Sequence, residues 1–173
     1  MRMTYNIHPI VVHFPITLLF LYSVIKVLPF SKWWPNVSWK HIERALLFVG
    51  VLGALAALLT GDTARELVQP NEKLADWHET FAYLSFFTYG ALLAGEVVSI
   101  FKFKLLLTFK SKGMKMFFAF LERIFSDKII PKALALIGFV SIILTGMLGG
   151  AMVYGLSADP LVPFVLKILG IEL

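Results

Sequence analysis

Ile7-His8-Pro9-Ile10-Val11-Val12-His13-Phe14-Pro15-Ile16 leads into an apolar run that lasts to Leu28. About 20 consecutive apolar residues suffice for a helix to cross the hydrocarbon core of a bilayer, so this stretch reads as a membrane span over residues 10–28. Pro9 suits the first turn of that helix, because its ring pre-sets φ and its missing N–H is not needed there. His13 then lies roughly one turn inside the apolar segment. An imidazole in hydrocarbon is costly unless it is paired or holds something, which makes His13 the first functional candidate.

Composition extends the membrane reading to the whole chain. Of 173 residues, 58% are hydrophobic and 16% charged, with a mean hydropathy of +0.80, whereas an average soluble domain has about 25% charged residues. Three further apolar stretches read as spans over about 41–60, 78–100 and 133–156. Together they predict an all-α membrane protein: a four-transmembrane-helix bundle forming a single transmembrane domain over 1–173. No small-residue cleavage site follows the first span, so it reads as retained and not as a signal peptide. There is no cysteine, which excludes thiolate metal sites, disulfides and covalent c-type haem; any metal must use His, Met, carboxylate or a cofactor's own nitrogens. Hydrolytic triads, phosphate loops and His-Glu-x-x-His helices are absent from the sequence.

Orientation follows from Lys and Arg. Twelve of them (Lys26, Lys32, Lys40, Arg44, Lys102, Lys104, Lys110, Lys112, Lys115, Arg123, Lys128 and Lys132) fall in the connections after span one and before span four, against four on the opposite face (Arg2, Arg65, Lys73 and Lys167). The richer face is expected in the cytoplasm, with both termini outside. Trp33 and Trp34 suit the membrane–water boundary on that face. The net charge of +5 is thus a topology signal, with no nucleic-acid partner implied. Within the cytoplasmic loop 101–132, Met114 to Phe125 alternates phenylalanines with Lys115, Glu122 and Arg123, predicting an interfacial amphipathic helix on anionic lipid. Residues 160–173 are apolar but too short to span, and are expected on the outer surface or against another subunit.

Span two ends Leu59-Thr60-Gly61-Asp62-Thr63-Ala64 and span four contains Leu144-Thr145-Gly146-Met147-Leu148-Gly149-Gly150. Spans one and three each carry a histidine near the outer end. The chain therefore reads as two hairpin repeats, each a His-bearing helix followed by a Thr-Gly helix, related by an axis along the membrane normal. This places His13 and His78 at similar depth, facing each other across the bundle. Small faces at Gly53 and Gly61 on span two, and at Gly146 and Gly150 on span four, either let helices pack closely or leave room for a flat macrocycle. Two axial histidines beside such faces are the ligand set of a low-spin b-type haem, so His13 and His78 are the candidate metal ligands of one haem b. His8 is a candidate for a propionate, a second metal or a cap, and Arg65 for a propionate or an acidic side chain. His41 reads as an interface residue. Glu96 reads as a snorkelling ion-pair partner of Lys102 or Lys104.

The His8-Pro9-Ile10-Val11-Val12-His13-Phe14-Pro15-Ile16 stretch, the Thr60-Gly61-Asp62-Thr63-Ala64 turn and Trp77-His78 resemble the bacterial membrane-protein family catalogued as domain of unknown function 2231. The resemblance covers most of the chain outside the basic loop. It implies a four-helix membrane domain in the bacterial inner (cytoplasmic) membrane, sometimes found with cytochrome-like proteins, and no established reaction.

The expected function is a membrane cytochrome carrying electrons between quinone and a partner on the outer face, such as a periplasmic cytochrome or the other subunits of a larger complex. Two alternatives stand beside it. One is a copper or zinc binding or transport protein using His8, His13 and His78, with Met147 and Met152 favouring copper; the other is a cofactor-free structural anchor.

Overall fold

A computed structural model describes residues 5–108, 111–127 and 129–171. Of the residues named above, Arg2, Lys110 and Lys128 lie outside them. The described residues form helices and no strand. Four helices are long and apolar enough to cross a membrane: α1 (His8–Val27), α3 (Trp39–Val68), α4 (Glu72–Thr108) and α6 (Ile130–Tyr154). The short α2 (Phe30–Trp33) turns the chain between α1 and α3, α5 (Lys112–Ser126) lies between α4 and α6, and α7 (Val162–Leu169) follows a 3-10 turn at Gly155–Ser157. Pro9 and Pro131 stand in the first turns of α1 and α6, as the fixed φ of proline favours.

The helices run longer than the apolar windows suggest. The region 61–76, expected as a polar loop, is mostly helix: α3 continues through Gly61 to Val68, stops at Gln69 with φ 48°, and α4 begins at Glu72. Ala64, Arg65, Glu66 and Leu67 are strong helix formers, and they outweigh Gly61 and Asp62. At the opposite end α4 runs on to Thr108, into the stretch assigned to the cytoplasmic loop, and α5 makes most of the rest of that stretch helical.

In cross-section the order around the bundle is α1, α3, α4, α6 and back to α1. The hairpins α1/α3 and α4/α6 make the largest interfaces, and α1 and α4 occupy a diagonal. The centre is filled by Leu19, Tyr22, Leu47, Tyr89, Leu92, Ala135 and Ile142. Close approach depends on small residues: a Cβ at Gly138 would lie 2.7 Å from Cζ of Tyr89, and one at Gly53 would lie 3.2 Å from Pro15. Outward faces carry Phe48, Leu55, Leu59, Phe87, Val140 and Val153, a continuous apolar surface far larger than a water-soluble monomer exposes. The surface fits a lipid bilayer.

One end of the bundle carries His8 and His78, and there α7 folds back so that Val162, Leu166 and Ile171 pack on Leu74, Leu148 and Ala151. The apolar tail thus closes its own bundle. The other end carries Lys26, Lys32, Lys40 and Arg44, and α5 packs there against α4 with Phe125 over Gly95. Two ion pairs sit at this basic end: Lys26 Nζ with Glu43 Oε2 at 2.9 Å, and Arg44 Nε with Glu96 Oε2 at 2.9 Å. Glu96 therefore pairs with a helix neighbour from α3.

Candidate functional site

His8 is the first residue of α1, its backbone N–H donating to Asn6 Oδ1 at 3.2 Å. Its Nδ1 lies 2.8 Å from Thr60 Oγ1 on α3. The Thr60 hydroxyl has one proton, and it is directed to the carbonyls of Ala57 (3.0 Å) and Ala56 (3.2 Å) in its own helix. With the Thr60 proton on either carbonyl, His8 donates from Nδ1 and Nε2 keeps its lone pair.

His78 reaches the same state by a different contact. Its Nδ1 donates to the main-chain carbonyl of Thr145 on α6 at 2.9 Å, and a carbonyl has no proton to give. Nε2 is again left as a base or ligand. The approach depends on Gly149, one turn beyond Thr145: a Cβ there would lie 3.3 Å from His78 Cε1 and 3.5 Å from Nδ1. Thr145 Oγ1 is turned away, donating to the Ser141 carbonyl at 2.8 Å.

His8 and His78 occupy the same end of the diagonal helices and lie within electrostatic range of each other. His13 lies a little further along α1 and on another face. Five residues separate it from His8, which at about 100° per residue turns it roughly 140° around α1. It is exposed, and its Nδ1 donates to the Pro9 carbonyl of its own helix. The expected facing of His13 and His78 is thus corrected: a helix cannot present both His8 and His13 to the core, and the contact with Thr60 settles which one turns inward.

The other candidates separate similarly. Gly61 borders the His8 ring, with a Cβ position 3.9 Å from its Cε1, and Gly150 faces Ala158. Gly53 is filled by Pro15, leaving no space for a macrocycle on that face, whereas Gly146 has nothing within 4 Å. Arg65 pairs with Asp76 (2.8 Å) and Glu79 (3.2 Å), which flank His78 in sequence. Of the two roles expected for Arg65, the structure shows the acidic one. His41 is exposed at the basic end. No group of three or more His, Asp or Glu side chains with metal-binding geometry forms among the described residues. The open recesses at this end, about 570 Å³ by Asn71, Glu72, Lys73 and Gly170 and about 260 Å³ by Lys73, Asp76, Trp77 and Thr80, do not touch either imidazole.

Sequence reasoning missed one polar contact at the bundle centre: Ser23 Oγ on α1 and Tyr89 OH on α4 are 2.8 Å apart and buried. Its signal was available in the spacing of polar residues along α4. Comparison with protein families, with curated proteins and with solved structures gives no match for this chain.

Proposed function

We propose that the chain is a b-type cytochrome of the bacterial inner membrane in which His8 and His78 are the axial ligands of one haem b. The observation that carries this reading is the matched placement of the two imidazoles: each Nδ1 lies within hydrogen-bond distance of an oxygen on the neighbouring helix. Such a hydrogen bond at Nδ1 orients the ring and raises the basicity of Nε2. Two imidazoles also suit haem iron, which brings four nitrogens of its own, and fall short of the three or four protein ligands that bound zinc requires. A haem held by His8 and His78 would supply one-electron transfer. Thr60 and Thr145 set the ring orientations, and Gly149 lets His78 reach the Thr145 carbonyl.

In this reading the two hairpins are repeats of one design, and the chain belongs with the family catalogued as domain of unknown function 2231. The twelve-to-four asymmetry of Lys and Arg supports both termini outside, with α5 on the cytoplasmic face against anionic lipid. Electrons then pass between membrane quinone and a periplasmic cytochrome or another subunit. A cysteine at Lys112 is expected to resist impermeant thiol reagents added to intact cells; labelling from outside reverses the orientation.

The visible spectrum of protein purified from haem-replete cells tests the site. Wild type is expected to show sharp reduced bands, His8→Ala and His78→Ala to lose them or turn high-spin, and His13→Ala to keep them. A colourless wild type returns the chain to the anchor or bare-metal alternatives. Loss in His13→Ala, with His8→Ala intact, restores His13 as the ligand.

A further inference from the structure

The elbow between α1 and α3 is built on Phe30. The ring centroids of Trp33, Trp34 and Trp39 lie 5.3, 5.7 and 5.0 Å from its own, and the Trp39 indole N–H donates to the Trp34 carbonyl at 2.9 Å. The cluster therefore ties the first turn of α3 to α2. Trp33 and Trp34 remain 53% exposed, and their indole N–H groups meet no acceptor among the described residues.

Charge at this elbow is one-sided. From Leu28 to Ile42 the chain carries Lys32, Lys40 and His41 and no acidic residue. The carboxylates at this end of the bundle, Glu43 and Glu96, are already held at 2.9 Å by Lys26 and Arg44. Lys32 and Lys40 are exposed and have no ion-pair partner among the described residues. Lys132 joins them from α6: its Nζ donates one proton to the Val27 carbonyl at 3.4 Å, at the point where α1 ends and the elbow begins. Two of its three N–H groups stay available.

Below this ring of ammonium groups the α1/α6 seam is open to hydrocarbon. Phe20 and Phe139 meet across it with centroids 5.1 Å apart, and Phe20 is exposed. Each stands seven residues from the Val27 and Lys132 contact, which is two turns and about 10 Å deeper. Tryptophan and lysine are common at any membrane boundary. Here, however, cations from three separate elements converge on one seam with an aromatic pair beneath it, which is the form of a bound lipid's headgroup and chain.

We propose that the elbow and the α1/α6 seam bind an anionic phospholipid with two phosphates, of the diphosphatidylglycerol class. Lys32, Lys40 and Lys132 hold the phosphates, Trp33 and Trp34 face the glycerol esters, and an acyl chain lies along Phe20 and Phe139. Three uncompensated ammonium groups match two phosphates better than one, and basic pockets between membrane helices favour such headgroups. The site is separate from α5, and it depends neither on the haem reading nor on the orientation of the chain.

The test uses the full chain in detergent, with lipid retention read by native mass spectrometry. Wild type is expected to retain one diphosphatidylglycerol in preference to phosphatidylglycerol and phosphatidylcholine. Lys32→Gln, Lys40→Gln and Lys132→Gln are each expected to weaken retention about fivefold, as for one lysine near an anionic lipid surface. All three variants should keep the wild-type helical circular dichroism, and Lys32→Arg, which keeps the charge, should bind as wild type. Equal retention of the three lipids overturns the proposal, as does wild-type retention in all three glutamine variants. Loss confined to a Lys112→Gln, Lys115→Gln double variant moves the site to α5, and displacement by inorganic phosphate removes lipid as the occupant; either result also overturns it.

Discussion

The hairpins α1/α3 and α4/α6 each hold a histidine through Nδ1, but against different oxygens. In the first, His8 bonds the hydroxyl of Thr60; in the second, His78 bonds the carbonyl of Thr145, whose hydroxyl is turned away. The two Leu-Thr-Gly motifs diverge one turn later, where Ala64 occupies the place that Gly149 holds in the other. Gly149 lets His78 approach the α6 main chain closely, a Cβ there lying 3.3 Å from its Cε1.

The largest expected effect separates the packing of the two glycine rows. Gly138→Leu drives a side chain into the Tyr89 ring, which is fully buried and tied to Ser23. Overpacking of this kind costs about 1–3 kcal/mol or more, and unfolding in detergent is expected to shift accordingly. Gly146→Leu, with nothing within 4 Å, is expected to leave stability near wild type while displacing any flat group from that face. Equal losses in both variants erase the distinction between a filled and an open face.

The ion pairs at the basic end come next. Arg44→Met leaves the Glu96 carboxylate without its 2.9 Å partner, both side chains being less than a third exposed, and a lost hydrogen bond to a charged group costs about 1.5–3 kcal/mol. Arg65→Ala removes the pairs to Asp76 and Glu79 at the histidine end, where every partner is more exposed. Solvent screens such pairs, and this substitution is expected to leave the unfolding midpoint unchanged.

A finer test exchanges the threonines. Thr60→Val removes the hydroxyl 2.8 Å from His8 Nδ1 and is expected to cost about 1 kcal/mol, with a changed His8 ring resonance in nuclear magnetic resonance spectra. Thr145→Val keeps the carbonyl, so the His78 ring is expected to stay in place. Matching losses in the two variants show that both imidazoles depend on hydroxyls.

Much of the architecture was legible because hydrocarbon imposes a length and a composition on any helix that crosses it. The four apolar runs marked the four long helices, and Pro9 marked the start of the first. Their ends were less legible: Gly61 and Asp62 suggest a break, yet the helix formers after them carry α3 to Val68. His78 and the two Leu-Thr-Gly motifs were visible as candidates. The choice between His8 and His13 was not, because a single helix offers either face and only contact with α3 selects one.

Hydropathy, basic asymmetry and the His and Leu-Thr-Gly spacing were thus set by the chain alone, since each depends on residues near one another in sequence. Tertiary structure decided which groups meet: His8 with Thr60, His78 with the Thr145 carbonyl, Ser23 with Tyr89, and Glu96 with Arg44. These pairings depend on the rotation of each helix about its axis, which is set by small and large side chains interlocking across interfaces, as Tyr89 does over Gly138 and Pro15 over Gly53. Periodicity gives each helix its faces, and only packing chooses which face turns inward.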